Sequence, residues 1–128
     1  MARTQEDVEN YLIKLGRRYE ALGDSIIVSM GNGTQAAVRV AAPIVAINVV
    51  IGPTPKDDAR QLKLYRKLLE LNARDLMHSA YGIENDQIVL SAALPLDNLD
   101  DNELDATLSD IDVALVTHTP DLIELARA

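Results

Sequence analysis

The chain has no cysteine, no phenylalanine and no tryptophan. Without Cys it can form no disulfide, thiolate metal site or thiol nucleophile. Aromatics are 3 % of the chain and all of them are Tyr, so the core has to be built from Ala, Val, Ile and Leu. Binding modes that stack bases or sugars on aromatic rings lose most of their tools. A cationic balance is missing as well. The formal net charge of −8 repels nucleic acid and anionic membranes, and neither is expected as a partner. No apolar run approaches the roughly 20 residues of a membrane span. The longest, 41–51, contains Pro43 and Asn48 and reads as a strand. The polar, acidic start through Glu6 and Asp7 is unlike a signal peptide. Together with the absence of Cys, it fits a reducing, cytoplasmic location.

Chemistry-bearing motifs are scarce. Gly31-Asn32-Gly33 is hairpin material and not a phosphate-cradling loop. There is no Gly-x-Ser-x-Gly and no His-Glu-x-x-His. The two histidines, His78 and His118, are expected to open a strand and close a helix. Residues 97–112 carry Asp97, Asp100, Asp101, Glu103, Asp105, Asp110 and Asp112 with no Lys or Arg. Asn102 stands where a calcium loop starting at Asp97 needs its glycine, so helix capping and a solvated acidic face explain the run better. No enzyme activity, cofactor or metal is expected.

Apolar residues make up 48 % of the 128, enough for one globular domain spanning 1–128. Val8, Leu12, Leu15, Tyr19 and Leu22 recur at helical spacing and predict a helix from about Gln5 to Leu22, with Thr4 as N-cap and Gly23 after its end. Strands are predicted over 25–30, 36–41 and 44–51, alternating or β-branched and joined by short turns. After the loop at Gly52-Pro53-Thr54-Pro55 comes a helix over about 59–76, then strands over 78–83 and 87–94. A third helix starts after Leu99, where Asp100 to Glu103 has the form of a capping box. Thr119-Pro120 predicts a fresh N-cap and a short last helix over 120–126. The order α-β-β-β-α-β-β-α indicates an α+β fold, an antiparallel sheet with helices packed on it.

Within this pattern, residues 68–104 carry Leu68-Leu69-Glu70-Leu71-Asn72, Tyr81-Gly82-Ile83, Gln87-Ile88-Val89-Leu90, Leu94-Pro95-Leu96 and Leu99-Asp100-Asp101-Asn102-Glu103-Leu104. In order and at close spacing, these resemble the secretion-chaperone-like superfamily, which holds the bacterial type III secretion chaperones and YbjN-type proteins. The resemblance implies a non-catalytic homodimer that binds an extended segment of a client protein. The alternative within the same superfamily is a YbjN-type regulatory or signalling module acting by protein contact or ligand sensing.

Two surfaces follow from the patterning. On the second helix, Leu62, Tyr65, Leu68, Leu69, Asn72 and Leu76 share a side, and Leu64 and Leu71 widen it to about half the circumference. A helix on one sheet needs only a stripe of a little over 100°. The excess predicts either a dimer interface through Leu64, Leu68 and Leu71 or a helix buried deeply in its own domain. Lys56, Arg60, Lys63, Lys67 and Arg74 line one edge and read as a solvated face. In the strands, parity places Ile26, Val28, Val38, Val40, Ile47 and Val49 toward the helices. Ile27, Arg39, Ile44 and Val50 are then left outward among small residues, as a client-binding surface.

Overall fold

The computed structural model describes residues 2–127. Helix α1 (Gln5–Lys14) precedes strands β1 (Tyr19–Leu22), β2 (Ser25–Ser29), β3 (Gln35–Ala41) and β4 (Ile44–Pro53). Helix α2 (Asp58–Arg74), strands β5 (Ala80–Glu84) and β6 (Gln87–Pro95) and helix α3 (Asp101–Ala126) complete the chain. The strands form a single antiparallel sheet in the order β1-β2-β3-β4-β6-β5. This is the α+β architecture expected from the sequence, with a strand added. Among the described residues no helix is long and apolar enough to cross a membrane.

The added strand is β1, which periodicity had assigned to the first helix. Gly16 takes φ +73 directly after the C-cap Leu15 and stops α1 there. Gly23, at φ +63, turns the β1–β2 hairpin and caps no helix. The second correction lies at the other end, where α3 runs unbroken through Pro120. A break there would rotate His118 and Leu122 away from the side on which Leu108, Ile111 and Leu115 are buried. Pro120 is exposed, so the missing N–H falls on the solvent side of the helix. Thr119, expected as a cap, keeps its hydroxyl buried without a hydrogen-bond partner among the described residues.

All three helices cover one face of the sheet. Ile26, Val28, Val38, Val45, Ile47 and Val49 are buried there against Val8 and Leu12 of α1 and Leu104, Leu108, Ile111 and Leu115 of α3. Leu64, Leu68 and Leu71 of α2 belong to the same core, at 0, 4 and 6 % exposure. They are therefore unavailable to a second chain, which corrects their assignment to a dimer interface. The buried stripe of α2 is turned by about one residue step, roughly 100°, from the side that the sequence favours. Leu62 and Leu69 are left 71 and 69 % exposed, with Tyr65 beside them.

Acidic side chains clasp these elements together. Asp112 on α3 accepts hydrogen bonds from Arg17 Nη1 at 2.7 Å and from the Gly31 N–H at 2.8 Å, tying α3 to the α1–β1 link and the β2–β3 hairpin. Asp110 accepts from the His78 N–H and the Ser79 hydroxyl. Hydrogen bonds to a charged group contribute about 1.5–3 kcal/mol, so Asp112→Ala is expected to cost about 2 kcal/mol in a urea melt. Asp100 Oδ1 accepts from the Glu103 N–H at 2.8 Å as the N-cap of α3. Asp100→Ala should cost about 1 kcal/mol in the same measurement.

Candidate functional site

The sheet face turned away from the helices is uncovered among the described residues. Its register places Glu20, Ile27, Ala37, Asn48, Ser91 and Ala80 in one row across all six strands. A neighbouring row holds Ser25, Arg39, Ala46 and Ala93. The parity read from the sequence is therefore the observed one, because strand side chains alternate and the more apolar set of each strand went to the core. Small residues in the middle rows leave two shallow hollows that meet at Asn48. One, of about 480 Å³, is lined by Ile27, Gln35, Ala37 and Val50. The other, of about 750 Å³, is floored by Ala46, Ser91, Ala93 and Ala80 and edged by Met77 and His78.

Of the four residues expected on this surface, Ile27 and Val50 come together in the smaller hollow. Arg39 lies one row away and pairs with Asp24 at 3.4 Å. Ile44 sits at the far end of β4, between Ala41 and Pro95. Sequence reasoning missed the floor supplied by β5 and β6. The signal was present as Ser91-x-Ala93 at outward parity, but the position of β6 beside β4 is a crossover that no local pattern encodes.

The two sheet edges differ. At the β5 edge, Asn72 of α2 accepts from the Tyr81 N–H at 2.7 Å and donates to the Tyr81 carbonyl at 3.1 Å, so a side-chain amide occupies the place of a neighbouring strand. Asn72 thus bonds strand backbone from a helix side chain. Among the described residues, the β1 edge has no strand beyond it. The Arg18 carbonyl accepts from the Ser29 N–H, so Glu20 and Leu22 face β2 and the polar groups of Tyr19 and Ala21 point off the sheet.

A buried polar cluster lies under α2. His118 is in mid-helix, not at a helix end, with Nδ1 2.9 Å from the Tyr81 hydroxyl and Nε2 3.0 Å from Asp75 Oδ2. Burial, then the negative charges of Asp75 and Asp110, hold the Tyr81 phenol well above the ordinary tyrosine range. A phenol held protonated is the opposite of an activated nucleophile, and the cluster serves as a hydrogen-bonded joint between α2, β5 and α3. The folded state keeps a proton that the unfolded chain releases near pH 10.0. Stability is therefore full below that pH and falls as pH rises through the folded value. Tyr81→Phe should lower stability by about 1–3 kcal/mol at pH 8, through the lost hydrogen bond, and reduce the alkaline decline. Tyr19, also shifted upward by burial and Glu9, retains part of that decline. Urea melts at about pH 8 and about pH 11 check both effects.

The CesT_Tir_1 family model matches residues 1–128. No curated protein sequence matches the chain significantly. Among solved structures, the heterodimeric ExoU–SpcU complex from the type III secretion system of Pseudomonas aeruginosa contains a chain that superposes with a TM-score of 0.71 at 15 % identity, covering 94 % of this chain and 98 % of that one. YbjN from E. coli gives 0.70 at 11 % identity, covering 94 and 95 %. The Yersinia pestis type III secretion chaperone SycH, in complex with a stable fragment of YscM2, gives 0.61 at 15 % identity, covering 91 and 97 %.

Proposed function

This chain belongs to the CesT_Tir_1 family of type III secretion chaperones, and from that premise we propose that it is a cytoplasmic, non-enzymatic homodimer that binds an extended segment of a client protein on its open sheet face. The observation that carries the reading is the uncovered face itself. Ile27 and Val50 stand there beside Ala37 and Asn48, over hollows that admit the alternate side chains of an extended chain. The open β1 edge supplies outward-pointing backbone groups next to the same face, whereas at the β5 edge Asn72 already occupies the N–H and carbonyl of Tyr81. Complexes of secretion chaperones with other chains among the fold relatives support a protein client. Likeness to YbjN supports a second reading, a regulatory module acting by protein contact or ligand sensing.

Affinity purification from the source cell, followed by mass spectrometry and limited proteolysis of the complex, tests the proposal. A client whose bound segment is extended and protease-protected supports it. Recovery of only small-molecule ligands, or of partners held through a folded domain, contradicts it and favours the regulatory reading.

A further inference from the structure

Asn48 and Ser91 stand opposite each other across the β4–β6 ladder, on the open side of the sheet. Asn is depleted in strands, where Thr, Val or Ile suit the backbone better. Its presence in the middle of a central strand calls for an offsetting contact. Among the described residues there is none: neither the Asn48 amide nor the Ser91 hydroxyl makes a side-chain hydrogen bond. A local rule broken without a structural gain is characteristic of functional positions.

The surroundings narrow the function. Across the strands Asn48 has Ala37 on one side and Ser91 on the other. Along β4 its neighbours of the same parity are Ala46 and Val50. A solvated Asn on a wholly polar face needs no explanation. Here the ring is mostly alanine and valine, and the short alanines leave the amide open to another chain. Asn48 also lines both hollows of the face, so a segment that fills the two passes beside it.

The same protein shows what such an amide binds. Asn72 accepts from the Tyr81 N–H at 2.7 Å and donates to the Tyr81 carbonyl at 3.1 Å. One side-chain amide matches both backbone groups of an extended residue, because it carries the same acceptor and donor as a peptide unit. Asn72 reaches the strand from the side, and Tyr81 still buries its own side chain in the core.

We propose that Asn48 clamps the backbone of the bound client segment, accepting from the N–H and donating to the carbonyl of one of its residues. The Ser91 hydroxyl, directly across the ladder, bonds a neighbouring peptide group. Such bonds read backbone and not sequence, so the clamp holds the segment while the flanking hollows select its side chains. The clamp rests on the client reading above and names the groups that hold the segment.

The probe is the protease-protected segment of the co-purified client, made as a synthetic peptide and titrated into the full chain by calorimetry. Asn48→Thr removes the amide and improves strand propensity, so the melting temperature should hold or rise. Peptide affinity should fall about tenfold or more, as two hydrogen bonds are lost from a covered site. Peptides N-methylated at one residue each locate the bonded position. One methyl should weaken binding to wild type by a similar factor and leave binding to Asn48→Thr nearly unchanged, a non-additivity that a merely structural Asn48 does not produce. Unchanged affinity of Asn48→Thr, with Ile27→Asp and Val50→Asp together still abolishing binding, overturns the clamp and leaves the client reading in place. N-methyl penalties that all persist in Asn48→Thr, or a marked fall in its melting temperature, overturn it equally. A peptide that wild type does not bind, or that all these variants bind as wild type does, contradicts the client reading and the clamp with it.

Discussion

Leu64→Glu is expected to leave no folded protein, while Leu62→Glu, two residues away, leaves the fold intact. Leu64 has no exposure and sits in the core with Leu68 and Leu71. Truncating a buried leucine to alanine costs about 2–5 kcal/mol. A carboxylate in the same place adds the cost of removing a charge or polar group from water, several kcal/mol more. A domain of this size has about 5–15 kcal/mol in total. Leu62, at 71 % exposure, lies outside the buried core. Circular dichroism and a thermal melt of the two variants decide the point. A folded Leu64→Glu protein would show that α2 is rotated from the placement described.

Ile27→Asp combined with Val50→Asp should weaken client capture by about 100-fold or more without unfolding the protein. Both side chains lie on the uncovered sheet face and line the same hollow. A bound segment would cover two carboxylates with no partner. At about 1–3 kcal/mol for each unsatisfied group, and more for a charged one, the pair costs about 2–6 kcal/mol, a range whose middle exceeds the roughly 2.7 kcal/mol of two decades in affinity. The core loses nothing, because the helix-facing residues of the same strands, Ile26, Val28 and Val49, are unchanged. Retained capture by a folded double variant would move the client to another surface. Loss of folding would mean that the faces are assigned backwards.

Much of this architecture was legible in the residues. Alternation in β2, β3 and β4 fixed which side chains face the helices, because a register slip would have exposed Ile26, Val38 and Ile47 together. The caps at Thr4 and Asp100 were readable from short polar residues standing before acidic first turns. What stayed hidden depended on contacts distant in sequence. The Tyr19–Leu22 segment has enough apolar residues at helical spacing to pass for helix, and pairing with β2 decides otherwise. The phase of α2 was ambiguous because leucines surround it, and packing against both α3 and the β5 edge selects Leu64, Leu68 and Leu71. His118 looked like a helix end until α3 proved continuous through Pro120. Of the candidate site, Ile27, Arg39, Ile44 and Val50 were placed on the correct face, but the floor from β5 and β6 required the strand order.

The client is proposed to lie on the open sheet face. Methyl NMR of the protein titrated with the segment of its co-purified client tests it most directly. The largest shifts are expected at the methyls of Ile27 and Val50, with slowed exchange of the Tyr19 and Ala21 amides at the open edge. Shifts confined to Leu62 and Leu69 of α2 and Val113 and Val116 of α3, with Ile27 and Val50 unmoved, would contradict it.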